Sequence, residues 1–171
     1  ARMEVNSERF QTADVYIPEV LLAARAENQV LEVLEPHLAG EKQQEIFKVL
    51  IGTVKGDLHD IGKNMVATML RGVGFEIQDA GINVDSEEFV RQVEQYQPHI
   101  LAMSALLTTT MPEMKKVVDL LNQKGIRQSL RVLVGGAPVN RKFADDIGAD
   151  GYAPDAGEAV AVARDLIASQ S

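Results

Sequence analysis

The chain has 171 residues, 46% apolar and 25% charged, with a net charge of −8 and no cysteine. That fits one ordinary domain, or one domain with a partial cap, and allows a sizeable core. Zero cysteines exclude disulfides, iron–sulfur clusters and thiolate metal sites, and the acidic balance argues against nucleic acid as the main partner. No apolar run approaches the roughly 20 residues that span a bilayer, and "ARMEVNSERF" has no apolar signal region, so a cytoplasmic location is expected.

From the N-terminus, "VYIPEVLLAARAENQVLEVLEPHL" sets Val20, Leu21, Ala24, Leu31 and Leu34 at helical spacing, with Pro18 in the first turn and Pro36 and Gly40 ending the run. "GEKQQE", Gly40–Glu45, is polar and reads as a linker and hinge. The pattern then changes. "IFKVLIGTV" is apolar and β-branched, a buried strand, and "IGKNMVATMLRGVG" is a helix stopped by glycines. "FEIQDAG" is a strand, followed by the helix "SEEFVRQVEQY", started by Ser86 with Asp85 just before it. "PHILAMSAL" is a strand and "MPEMKKVVDLLNQKG" a helix ending at Gly125. "LRVLVGG" and "ADGYA" are strands, followed by the helices "NRKFADDIG" and "AGEAVAVARDLIAS". Strand then helix, five times over, predicts an α/β fold: a doubly wound five-stranded parallel sheet with helices on both faces.

In such sheets ligands bind beyond the carboxyl ends of the strands, near the switch in strand order. Three unusual stretches fall there: "GDLHDIG" after the first strand, "SALLTTT" after the third and "GGAP" after the fourth. The first turn has no phosphate-loop signature, neither G-x-x-x-x-G-K-[ST] nor G-x-G-x-x-G. A phosphoacceptor reading fails because the third strand ends in Ser104, where an aspartate is needed. Asp57, His59 and Asp60 make a weak metal site, since His37 and His99 lie at unrelated positions and zinc usually takes three protein ligands. An oriented imidazole remains. Asp57 can accept the proton of one His59 ring nitrogen and leave the other free for a metal, with Ser104 extending the relay at Asp57. Gly62, Gly135 and Gly136 would clear side chains from between helix and sheet, so that something flat or long can slide in. Taken alone, D-x-H reads most simply as a satisfied histidine in a tight turn.

The three stretches together resemble one family. D-x-H-x-x-G stands at Asp57, His59 and Gly62, S-x-L at Ser104 and Leu106, and G-G at Gly135 and Gly136. Their order and spacing resemble the cobalamin-binding domain of methionine synthases, corrinoid methyltransferase proteins and cobalamin mutases. The resemblance implies a flavodoxin-like domain that binds cobalamin base-off, His-on. His59 would be the lower axial ligand to cobalt, with Asp57 and Ser104 completing the relay that couples proton uptake to cobalt oxidation state. The displaced tail would run past Gly56, Leu58, Asp60, Ile61 and Gly62 at the first turn. It would then pass Ser104, Leu106 and Thr108 at the third, Gly135 and Gly136 at the fourth, and Ala156 in "PDAGEA".

"F…YIPEVLLAARA", from Phe10 to Ala26, resembles the helical cap of methyl-transferring members, and the C-terminal stretch is similar to small corrinoid proteins of methanol, methylamine and aromatic methyl-ether systems. The resemblance implies a partial cap over 1–40, with Phe10 and Ile17 above the cobalt, and a cobalamin domain over 41–171. One departure is Ala26-Glu27, where the cap usually reads Ala-Met. The implied role is a methyl carrier, cycling between methylcobalamin and cob(I)alamin. It would serve a substrate-specific methyltransferase and a second, acceptor methyltransferase, with a reductive activation protein as a further partner. It would be a carrying subunit rather than a full enzyme. Two alternatives from the wider family are a cobalamin light sensor, which needs a DNA-binding segment absent here, and the carrier subunit of an adenosylcobalamin mutase, which usually lacks the cap.

Other residues read plainly. Met65, Met69, Met103, Met111 and Met114 are core filler. One of Thr108–Thr110 caps a helix. Asp145, Asp146, Asp150, Asp155 and Glu158 are solvated acids, and His37 and His99 have no partner by spacing.

Overall fold

A computed structural model describes residues 46–169. The expected cap, its contacts Phe10 and Ile17, Glu27, His37 and the linker at Gly40–Glu45 lie outside these residues.

The five alternations appear in the expected order. They are β1 (Lys48–Val54), α1 (Ile61–Gly72), β2 (Glu76–Val84), α2 (Ser86–Tyr96), β3 (Ile100–Ser104) and α3 (Met111–Gln123). A short 3-10 turn at Arg127–Ser129 precedes β4 (Arg131–Gly135), α4 (Arg141–Ile147), β5 (Gly151–Ala153) and α5 (Ala156–Ala168). All strand pairs are parallel, in the order β2-β1-β3-β4-β5. The order reverses between β1 and β3, which makes that gap the flavodoxin-like switch point.

Each strand's residues alternate between two cores. Leu50, Val54, Leu101, Met103, Val132 and Val134 pack with α2, α3 and α4. Val49, Ile51, Ile100, Ala102 and Leu133 pack with α1 and α5. This two-sided burial explains why β1, β3 and β4 read as continuous apolar runs. β2 is one of the two edge strands, largely open, and it continues past the predicted "FEIQDAG" to Val84. Met69, Met103 and Met114 are buried in the core as expected.

Three helices carry side-chain caps: Asp85 accepts the Glu88 N–H, Asn140 the Phe143 N–H and Asp155 the Glu158 N–H. α1 and α3 have none. These are the two helices that follow the strands flanking the switch point. His99, read as having no partner, and Asp150, read as a solvated acid, are both hydrogen-bonded. His99 Nδ1 accepts the Lys48 N–H at 2.9 Å while the Phe47 ring meets it edge-on. Asp150 accepts from Arg127 Nη2 and the Val132 N–H, both at 2.7 Å, and so ties the start of β4 to the loop before β5. Sequence separation hid both pairings. Among the described residues no helix is long and apolar enough to cross a membrane.

Candidate functional site

Val54 to Asp57 make a tight turn, closed by the Asp57 N–H donating to the Val54 carbonyl at 3.1 Å. Gly56 adopts φ 80°, the left-handed value that the third residue of a type II turn requires. The turn drops the Asp57 side chain into the protein, where it is wholly buried. It carries His59 out to the C-terminal edge of the sheet, with its side chain 52% exposed.

A buried carboxylate needs donors on both oxygens. Oδ1 accepts from His59 Nδ1 at 2.7 Å and from the His59 N–H at 3.1 Å. Oδ2 accepts from the Leu106 N–H at 2.6 Å, the Leu107 N–H at 3.3 Å and the Thr110 hydroxyl at 2.9 Å. Burial pushes the carboxyl up, but the Leu106 amide, the His59 ring and the other donors outweigh it and hold Asp57 well below the usual carboxylate range. An ionised carboxylate only accepts, so Nδ1 is the donor to it and Nε2 is the ring nitrogen left free of this pair. Thr53, also buried, donates to the His59 carbonyl at 2.9 Å and fixes the residue from behind.

The hydroxyl that reaches Asp57 is that of Thr110, where that of Ser104 was expected. Ser104 ends β3 on the same face as Ala102, toward α1 and α5. Asp57 Oδ2 turns toward the start of α3. Among the described residues the Ser104 hydroxyl makes no hydrogen bond to Asp57. Thr110 occupies the N-cap position of α3, but its hydroxyl turns to Asp57 and to the Leu107 carbonyl, so it does not cap the helix. A hydroxyl has one proton for these two acceptors, and the charged one binds it more strongly. Three adjacent threonines were visible in the sequence, but not which one faces inward.

Beside His59 a cavity of about 540 Å³ runs between the sheet and helices α1 and α5. Leu58, His59, Asp60, Ile61 and Gly62 line it from the first turn. Ser104 and Leu106 line it from the third, Gly135 and Gly136 from the fourth, and Ala156 from α5. Gly56 and Thr108, expected along the same path, are not among the lining residues. Met65, read as core filler, lines the cavity together with Ala159 and Pro154, which the sequence did not single out.

The glycines do different jobs. A Cβ on Gly62 would meet nothing within 4 Å, so nothing inside the protein requires glycine there, and the free space faces the cavity. A Cβ on Gly135 would stand 2.9 Å from the Ala153 carbonyl oxygen, and one on Gly136, at φ 127°, would stand 1.9 Å from that of Ala105. Those two are demanded by neighbouring backbone rather than by clearance alone. At the rim, Leu58, Ile61, Leu106 and Leu107 expose 68%, 80%, 41% and 42% of their surface. Leu58, Ile61 and Leu106, which line the cavity, form an apolar shelf beside the imidazole, of the kind that an apolar ligand covers.

Among the described residues no three His, Asp or Glu side chains are grouped to hold a metal ion. The site therefore offers one imidazole ligand, not a cage. Its features fit a large cofactor that brings its own metal: a free Nε2, an apolar shelf, a deep slot and an unfilled space at Gly62.

Fold and site together define a flavodoxin-like cofactor-binding domain. Residues 47–161 match the B12 binding domain family. The chain is 41% identical over 159 residues to dimethylamine corrinoid protein 1 of Methanosarcina mazei, covering 92% of this chain and 74% of that protein. Among solved structures it resembles a cobalamin-binding protein from Desulfitobacterium hafniense, with TM-score 0.79 and 33% identity over 96% of this chain and 77% of the other. It also resembles a chain of the methanol:cobalamin methyltransferase complex from Methanosarcina barkeri, with TM-score 0.77 and 32% identity over 97% of this chain and 63% of that one. The chain belongs to the B12-binding domain family, and its relatives include methylamine corrinoid proteins.

Proposed function

We propose that the protein is a corrinoid methyl carrier that holds cobalamin base-off with His59 Nε2 as the lower ligand to cobalt. It would exchange a methyl group between a substrate-specific methyltransferase and a second, acceptor methyltransferase. The observation that carries this reading is the His59 ring, fixed through Nδ1 to a buried carboxylate with Nε2 left free at the mouth of a deep slot. When bound, cobalamin supplies a cobalt centre that accepts and releases a methyl group.

The chain's own residues orient and tune. Asp57 keeps the proton on Nδ1 and makes Nε2 a strong donor. Leu58, Ile61 and Leu106 would shield the lower face of the ring system from water. The slot between α1, α5 and the sheet would take the displaced tail, with Gly62 leaving it room. The relatives' names support methyltransferase partners: one is a dimethylamine corrinoid protein, and one neighbour is part of a methanol:cobalamin methyltransferase complex.

The test is reconstitution with cobalamin, reduction, and incubation with methylamines or methanol and each methyltransferase of the source organism that acts on these donors. Methyl transfer to the protein-bound corrinoid from one of these donors is expected. Tight corrinoid binding with no transfer from any partner would overturn the carrier role.

A further inference from the structure

The loop carrying Asp57 and His59 is gripped from the edge strand by a residue that the cofactor reading leaves unused. Type I and type II turns on the same four residues differ in the second residue's ψ and the third residue's φ, each by roughly 150–170°. The central peptide is thereby flipped. In the Val54–Asp57 turn, the N–H of that peptide belongs to Gly56. It donates to Asn83 Oδ1 at 2.8 Å, across 27 residues of sequence. The Asn83 N–H in turn donates to the Asp57 carbonyl at 3.0 Å.

Asn83 sits at φ 53°, a left-handed conformation that few residues besides glycine and asparagine tolerate. The pairing of β1 with β2 slips in register on either side of Gly52, just before this point. The end of β2 therefore reaches the loop rather than running past it in regular ladder. A few residues earlier, Asp79 Oδ1 accepts the Gly81 N–H at 2.8 Å and its Oδ2 holds the buried Lys63 ammonium at 2.5 Å. β2 thus fixes both ends of the loop, with Asp79 at the first turn of α1 and Asn83 at the turn before Asp57.

We propose that Asn83 is a positioning residue for His59: its amide oxygen selects the type II orientation of the Lys55–Gly56 peptide, and so fixes the direction in which Asp57 meets the imidazole. This rests on reading His59 as the cobalt ligand.

Asn83→Gly keeps the left-handed backbone and removes the acceptor, whereas Asn83→Asp keeps both. Each protein is labelled with [15N]histidine and reconstituted with cob(II)alamin. Electron paramagnetic resonance is recorded under conditions, found by titrating the wild type, that leave it half ligated. A histidine ligand splits each cobalt line into a doublet, whereas the cofactor's own 14N base gives a triplet. In Asn83→Gly the ratio of histidine-ligated to unligated cobalt should fall about threefold to tenfold, the size of one net hydrogen bond. Asn83→Asp should restore it. Amide exchange at Gly56 in the apo protein should quicken in Asn83→Gly alone. If Asn83→Gly does not fold, Asn83→Ser, whose hydroxyl is too short to reach Gly56, replaces it.

A doublet in Asn83→Gly as strong as the wild type's, or an Asn83→Asp that falls as far as Asn83→Gly, overturns the role of Asn83. A doublet unchanged in His59→Ala instead refutes the ligand reading on which it rests.

Discussion

Thr110→Val removes one hydroxyl and little volume. Wild-type Asp57 Oδ2 accepts from Leu106 at 2.6 Å, Leu107 at 3.3 Å and Thr110 at 2.9 Å. The variant leaves the two backbone donors, the weaker of them beyond ordinary hydrogen-bond length. Asp57 is fully buried and Thr110 nearly so, so water does not replace the missing donor. A hydrogen bond to a charged group is worth about 1.5–3 kcal/mol, and the apo protein should lose that much in urea denaturation at neutral pH. The pH dependence separates this from a packing defect. The native Asp57 pKa is depressed, so its stabilisation is present above the unfolded pKa and is lost as pH falls through the folded one. Losing a donor moves the variant's native pKa up toward the ordinary value. The gap between the two proteins should be constant above the variant's native pKa and close as pH falls through it toward the wild type's, both below the ordinary carboxylate range. Thr110→Ser, which keeps the hydroxyl, should lose far less. A Thr110→Val protein as stable as wild type at neutral pH, or a deficit unchanged in acid, would refute the relay.

The glycines offer opposite outcomes. Gly62→Ala should stabilise the apo protein by about 0.5–1 kcal/mol, because a helical position gains a better former at no steric cost. Its cobalamin affinity should drop, which equilibrium binding would show; unchanged affinity would remove Gly62 from the tail's path. Gly136→Ala should destabilise the apo protein by about 2–4 kcal/mol, from its positive φ and the Ala105 carbonyl in its way, as chemical denaturation would report.

The sheet was legible because β1, β3 and β4 are buried on both faces and therefore read as unbroken apolar runs, with Asp85 marking one helix start; Asn140 and Asp155 cap helices that the sequence reading did not assign them to. The site was legible where chemistry is local: Asp57 and His59 lie two residues apart, and their bond is made within one turn. It was not legible where partners are distant in sequence. Thr110, 53 residues from Asp57, and Asn83, 27 residues from Gly56, are ordinary polar residues in sequence. Ser104 was assigned to Asp57 because both fall at strand ends, but strand alternation turns it to the other face. Gly135 and Gly136 read as ligand clearance, whereas close backbone approach already requires them. His99 and Asp150 owe their partners to strand pairing and a loop contact that no local pattern announces.

The central claim is that His59 supplies the nitrogen below cobalt. Protein labelled with [15N]histidine and loaded with cob(II)alamin tests it directly by electron paramagnetic resonance. The account predicts doublet superhyperfine lines in the wild type that vanish in His59→Ala. A triplet from the cofactor's own base in the wild type, or a doublet that survives His59→Ala, would contradict it.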